Sequence, residues 1–183
     1  MKGLTGFMFG RMPFQKAAVS SVIVSAVMST SVLANQEVAP VRTSMDTISE
    51  ERSIPCSVEL RGLASKTLKQ NPHRMLAYGE SDSDNQMFNA LAVAEYRDRG
   101  SHVTFHGVVN SQGRCDTSVT ESFILQTSCS DARHEAFSKW DFQGKLNQNT
   151  MVLSSKRVNG KQAFLTDQFG LLCLVTTRQV VSS

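Results

Sequence analysis

The chain has 183 residues, and its 19 lysines and arginines against 16 aspartates and glutamates give a formal net charge of +3. Three of those basic residues and none of the acidic ones lie in residues 1–34, so the rest of the chain is balanced at 16 against 16. A neutral chain lacks the surplus of cations that phosphate backbones attract, which argues against nucleic acid and anionic membrane surfaces as partners.

Residues 1–34 have the layout of a cleavable secretory signal, with a positive start, a short apolar run and small residues before the cut. The apolar run covers residues 17–28 and serines interrupt it, whereas a membrane-spanning helix needs roughly 20 apolar residues in succession. We therefore expect an exported protein, periplasmic or secreted, with no stable membrane insertion once the signal is removed.

The rest of the chain divides into two parts. Residues 35–54 are polar and without a hydrophobic period, which predicts a flexible lead-in. Residues 55–181 have the length of one domain and contain all four cysteines. We expect them to form a single globular domain tied by disulfides.

The cysteines form an even, widely spaced set without a Cys-x-x-Cys pair: Cys56, Cys115, Cys129 and Cys173. In an exported chain such a set predicts two structural disulfides. The segment from Cys115 to Cys129 looks like one strand that spans roughly 46 Å, whereas bridged Cα atoms lie under about 7 Å apart. We therefore favour Cys56–Cys115 with Cys129–Cys173, and the crossed pairing that also avoids Cys115–Cys129 stays open.

The folded part opens with a predicted helix. Apolar residues recur at helical spacing over residues 60–68, Ser57 can cap the helix, and the Asn71-Pro72 pair ends it.

Residues 84–99 fit two interpretations. A capping box of Ser83 with Gln86, followed by apolar residues on one helical face, favours a second helix. The run LAVAEYR within the segment is also compatible with a strand that turns at residues 98–100.

From Gly100 onward the hydrophobic period changes to two, which is typical of half-buried strands. Gly113 marks a turn between two such strands, and the Asn159-Gly160 pair predicts a hairpin. The last segment, residues 171–181, is apolar nearly throughout, which predicts a central strand or one buried on both faces.

Helices followed by a run of strands predict an α+β fold. In the expected architecture, an antiparallel sheet from the C-terminal half packs on one or two N-terminal helices. An all-β meander or a small barrel is the alternative if residues 84–99 are extended.

Two histidines four positions apart, His102 and His106, raise the question of a metal site. On a helix this spacing suits a shared ion, but on the predicted strand it separates the residues by about 13 Å. Zinc–nitrogen bonds are about 2.0–2.1 Å long, so one ion cannot join the two rings. We expect surface histidines and no metal site.

No catalytic motif is present elsewhere. His134-Glu135 resembles half of a zinc-protease signature, but the position of its second histidine is Ser138. There is no nucleophile elbow and no phosphate-binding loop, and disulfide formation removes the cysteines as nucleophiles. We therefore predict no catalytic residues, no metal and no cofactor.

The leading hypothesis is an exported, non-enzymatic binding module, of the inhibitor, immunity or accessory envelope type, with a protein or small molecule as its partner. The candidate contacts are His102, Thr104 and His106 on the solvent face of one strand. Trp140 is expected in the core, and would be a binding anchor if exposed.

The alternative is a small hydrolase or transferase whose site is assembled only in three dimensions. Its first candidates are two histidines and two carboxylates near the predicted strands: His102, His106, Glu95 and Asp116.

Overall fold

The computed structural model describes residues 42–78 and 86–182. Within them it places three helices, α1 Ser44–Glu51, α2 Ser57–Leu68 and α3 Cys129–Glu135. The strands are β1 His73–Tyr78, β2 Met87–Glu95, β3 Gly100–Val109, β4 Cys115–Leu125, β5 Trp140–Lys145, β6 Thr150–Ser155, β7 Lys161–Gln168 and β8 Leu172–Ser182.

The eight strands form one antiparallel sheet in the order β1-β2-β3-β4-β8-β7-β6-β5. The fold is therefore α+β, and the sheet is open, because β1 and β5 lie at opposite ends of the order. The barrel alternative is wrong. The sheet also starts earlier than expected, at His73, so it is not confined to the C-terminal half.

The prediction of a helix within residues 84–99 is wrong, because Met87–Glu95 is strand β2. Its buried side chains are Phe88, Ala90, Ala92 and Ala94, at a strict period of two. Three small alanines fit the sheet face beneath the helices. The helix prediction rests on Met87, Leu91 and Ala94, whose spacing fits one face of a helix, but in the strand Ala94 lies on the opposite face from the other two. The capping-box residue Ser83 lies outside the described residues.

The segment expected to be a flexible lead-in contains helix α1 over its second half. The Met45 side chain is fully buried, and the Asp46 carboxylate accepts hydrogen bonds from Thr43 N–H (2.7 Å) and Oγ1–H (2.9 Å). Arg61 of α2 adds an ion pair with Asp46 at 2.7 Å. Tertiary contacts therefore stabilise a segment that has no periodic signal of its own.

The helices cover one face of the sheet and leave two hydrophobic clusters beneath them. The first cluster joins α1 and α2 to strands β2–β4, and the second joins α3 to strands β6–β8. In the first, Gly107 of β3 lies under Leu60 of α2, where an added Cβ would come within 3.0 Å of Leu60 Cδ1. The strand carries a glycine here because the helix approaches so closely.

The disulfides join Cys56 with Cys115 and Cys129 with Cys173, the pairing that the sequence analysis favours. The first links the start of α2 to β4, and the second links α3 to β8. Cys115 and Cys129 cannot meet because the whole of β4 lies between them. Each hydrophobic cluster therefore has its own bridge.

Strand β8 lies between β4 and β7, which confirms the expectation that residues 171–181 form a central strand. Its buried residues alternate with more exposed ones, so it is buried on one face only. The predicted hairpin at Asn159-Gly160 joins β6 to β7. In the described part of the chain, none of the helices has the length and apolar character needed to cross a bilayer.

Candidate binding face

The face of the sheet opposite the helices carries the predicted binding residues, and we call it the open face. On β3 the residues of the covered face are buried, whereas His102, Thr104, His106 and Val108 point the other way. Because directly paired residues share a face, the registers extend this assignment across the whole sheet.

Large apolar side chains are exposed on the open face of five neighbouring strands. Leu76 of β1 is 58 % exposed and Ile124 of β4 is 53 % exposed. The full set is Leu76, Tyr78, Met87, Val93, Val108, Ile124, Leu172 and Val180. Between them lie neutral polar residues such as Thr104, so the face is amphipathic and not simply solvated.

The two histidines lie on this face as predicted, in an extended strand. His102 is opposite Val93 and Ser122, and His106 is opposite Asn89 and Ser118. The spacing of about 13 Å along the strand prevents the rings from sharing an ion.

The ring of His106 is held by a neighbouring strand. Its Nδ1 is hydrogen-bonded to the Asn89 side-chain oxygen. Because an amide oxygen only accepts, the Nδ1–H of His106 is the donor in this hydrogen bond.

The four candidates for a hidden active site separate into two pairs. Glu95 is diagonal to His102 across β2 and β3, and Asp116 is diagonal to His106 across β3 and β4. Diagonal neighbours have Cα atoms roughly 7–8 Å apart, and no hydrogen bond or ion pair joins either histidine to its carboxylate among the described residues. Asp116 instead accepts a hydrogen bond from Asn110 at 3.2 Å.

A hollow of about 820 Å³ lies at the end of the open face near the β2–β3 turn. Its apolar lining includes Val93, Ile124 and Leu174, and its polar lining includes His102 and Ser122. We call it the end hollow.

One carboxylate, Asp98, also lines the end hollow. Both of its oxygens accept from Arg99 Nη1, at 3.1 and 3.0 Å. The carboxylate is therefore engaged with a guanidinium, and not with the imidazole of His102.

Trp140 lies apart from the histidines, on the covered face and on edge strand β5. Its ring packs edge-on against Phe137 with centroids 5.3 Å apart, and it borders the second hydrophobic cluster. The structure therefore places it with the core, and it does not join His102, Thr104 and His106.

The remaining two histidines are not in the candidate site. His73 accepts from Ser44 N–H at 3.0 Å through Nε2, and its Nδ1 is 2.7 Å from the Asn71 carbonyl oxygen. It therefore fastens the start of α1 to β1. His134 lies exposed on α3.

Sequence reasoning missed a partly buried group of polar side chains on the covered face, next to the β2–β3 turn. The guanidinium of Arg99 lies over the rings of Phe123 (4.1 Å) and Tyr96 (4.9 Å). Nearby, Ser101 and Glu121 each hold a buried oxygen without a hydrogen-bond partner among the described residues. These residues come from three segments, and only the cross-strand register brings them together.

The Tyr96 hydroxyl belongs to the same group and donates to the Thr67 carbonyl at 3.2 Å. Burial, followed by the negative charge of Glu121, raises the pKa of Tyr96 to about 12. The group therefore favours a protonated phenol.

Among residues 42–78 and 86–182 there is no cluster of three or more histidine, cysteine or acidic side chains that could hold a metal ion. Comparison with known proteins adds no assignment. No protein-family model matches the chain, and no curated protein or solved structure is significantly similar to it.

Proposed function

We propose that this chain is an exported, non-enzymatic binding module whose partner is a protein that docks on the open face of the sheet. The observation that carries the proposal is the set of large exposed apolar side chains on a face that no helix of the described chain covers. By the registers they form one group on the β1 side, which includes Leu76 and Val93, and a second around Ile124 and Leu172, with polar residues of β3 and β4 between the groups. Exposed apolar groups bordered by polar residues are typical of interaction sites.

The extent of the surface favours a protein over a small ligand. Five strands spaced about 4.8 Å apart span roughly 20 Å. A standard interface buries about 800 Å² on each partner, which a patch of this width can supply. A small molecule would occupy the end hollow alone and leave Leu76 and Tyr78 of β1 exposed.

Two features weigh against the alternative of a hydrolase or transferase. The histidines and carboxylates expected to cooperate fall into separate pairs, and Asp98 at the end hollow is engaged with Arg99. A histidine acting as a general base needs a partner that orients its ring, which hydrogen bonding to Asp98 would have provided.

Export is supported by the covalent chemistry of the chain. Both disulfides are compatible with an oxidising compartment outside the cytoplasm. The predicted signal itself, residues 1–34, lies outside the described residues.

The test compares the envelope proteins that the wild-type protein captures with those that a variant of the open face captures. Val93→Glu with Ile124→Glu places two charges on the open face where it borders the end hollow, while the matched control Val58→Glu changes an exposed residue of α2. We expect an envelope protein that wild type and the control retain, that the double variant loses, and whose Kd rises at least about tenfold when measured with purified partner. Equal capture by all three proteins, with unchanged circular dichroism, would contradict the proposal.

A further inference from the structure

Two hairpin loops lie side by side at one end of the sheet, and we call them together the tip. They are the β5–β6 loop, residues 146–149, and the β7–β8 turn, residues 169–171. The N–H of Asp167 donates to the Asn149 carbonyl oxygen at 2.8 Å, so strand β7 holds the first loop beside the second.

The tip presents its apolar side chains to solvent. Phe169 is 95 % exposed, Leu171 is 74 % exposed and Leu146 is 68 % exposed. Single exposed apolar residues are normal, but three large ones on two adjoining loops form a protruding apolar end.

The backbone at Phe169 is in an unfavourable conformation for that residue. Its φ is +59° and that of Gly170 is +72°, and Leu171 N–H closes the turn on the Gln168 carbonyl at 3.2 Å. Hairpin turns with two positive φ values strongly favour Asn-Gly, whereas a bulky aromatic residue is rare there.

The backbone at Phe169 thus adopts an unfavourable conformation, although the ring of this residue is exposed and gains nothing from burial. Strain of this kind is characteristic of positions kept for interaction.

We propose that the tip binds a membrane surface by inserting Phe169, Leu171 and Leu146 into the interfacial region of a lipid bilayer. The tip residues are Leu146, Asn147, Gln148, Asn149, Phe169, Gly170 and Leu171, and none of them is charged. Lys145 and Asp167 flank the two loops in the chain, and the Asp167 carboxylate accepts from the Gly170 N–H at 2.6 Å, which engages it within the turn. An apolar end bordered by amide side chains suits a zwitterionic headgroup layer, with no need for anionic lipid.

The shape of the tip also favours a bilayer over a second protein. Convex loop ends need a matching deep pocket on a protein, whereas a fluid bilayer adapts to them. Three side chains give a weak and reversible association, which fits a chain with no membrane-spanning helix among its described residues.

The test measures co-sedimentation of the signal-free protein with vesicles of phosphatidylcholine, alone or mixed with phosphatidylglycerol. We expect binding to both vesicles at roughly millimolar lipid. The binding should be the same at about 0.1 and about 0.5 M salt, because salt screens only interactions between charges. Phe169→Asn should lower the partition coefficient about tenfold or more. It should leave the Tm unchanged or raise it, because asparagine suits the left-handed turn.

The matched control is Val58→Asn, which removes an exposed apolar side chain on α2 and should bind vesicles like wild type. The proposal is overturned if wild type binds neither vesicle, if Phe169→Asn binds equally well, or if binding requires anionic lipid and disappears in salt. It is also overturned if Phe169→Asn abolishes capture of a protein partner while wild type ignores vesicles. The Val93→Glu, Ile124→Glu variant should bind vesicles normally, so this proposal and that of the open face fail separately.

Discussion

Tyr96 shows how a single side chain connects parts of the covered face that are distant in sequence. Its hydroxyl donates to Thr67 near the end of α2, and its ring lies beneath the guanidinium of Arg99. The Glu121 carboxylate of β4 raises the pKa of the phenol in addition to burial. Ionisation of Tyr96 would place a second negative charge beside Glu121, so the fold resists it.

This environment predicts a late alkaline titration. In Tyr78→Phe, Tyr96 is the only tyrosine, and its phenolate absorbance should appear near pH 12 instead of near 10. Since the folded pKa lies above the unfolded one, the stability from this group is complete below pH 10 and disappears as pH rises through about 12. Adding Glu121→Gln should move the titration to lower pH. A phenolate already formed at pH 10 in folded protein would refute the assignment.

At the scale of elements, the contact between α2 and β3 depends on a missing side chain. Gly107 lies against Leu60 and Cys56, and an added Cβ would lie 3.0 Å from Leu60 Cδ1 and 3.3 Å from Cys56 Cβ, so these side chains would have to shift. Gly100, at the start of the same strand, has open space around its Cα. The two glycines therefore make a matched pair for testing how closely the helix packs.

We expect Gly107→Val to destabilise the protein by about 1–3 kcal/mol, because overpacking must displace α2. Gly100→Val should change the free energy of unfolding by less than about 0.5 kcal/mol. Urea unfolding of both variants measures the difference. If the two variants have equal midpoints, the close approach of α2 to β3 is wrong.

The sequence predicts an element when a local pattern specifies it, and misses an element that depends on tertiary contacts or strand pairing. Helix α2 has a clear helical stripe and a proline after its end, so the prediction of the helix is confirmed. The expected cap at Ser57 is wrong, because Ser57 is the first residue of the helix, and the N-cap position is Cys56, which makes no side-chain capping hydrogen bond.

Strand β2 was missed because Met87, Leu91 and Ala94 recur at helical spacing, whereas pairing with β1 and β3 makes the segment extended. Helix α1 was missed because its anchors, Met45 and the bond to His73, are tertiary contacts.

The candidate site was also only partly predictable from the sequence. Period-two alternation along β3 places His102, Thr104 and His106 on one face from sequence alone. The apolar neighbours Leu76 and Ile124 were not predicted, because their position depends on the registers between strands. The exposed Phe169 carries a local signal, an aromatic residue where a tight turn favours asparagine.

At the scale of the whole molecule, each of the two disulfides stabilises one of the two hydrophobic clusters. Cys56–Cys115 closes 59 residues of sequence and Cys129–Cys173 closes 44. Each bridge should contribute about 2–4 kcal/mol to the free energy of unfolding.

Removing one bridge at a time should therefore affect one core at a time. In Cys129→Ala with Cys173→Ala, we expect amide hydrogen exchange to increase mainly in α3 and β8, while α2 keeps its protection. The reciprocal pair, Cys56→Ala with Cys115→Ala, should expose α2 and spare α3. Uniform loss of protection in either variant would mean that the sheet unfolds as one cooperative unit.

The central position of β8 has a consequence for the order of assembly. Residues 172–182 are the last described strand along the chain, yet they fill the gap between β4 and β7. Until this stretch has been synthesised, β4 and β7 each present a row of unsatisfied backbone groups. A stalled or truncated chain that ends before Leu172 therefore carries two further unpaired strand edges besides those of β1 and β5, and we expect chaperones and proteases to recognise it.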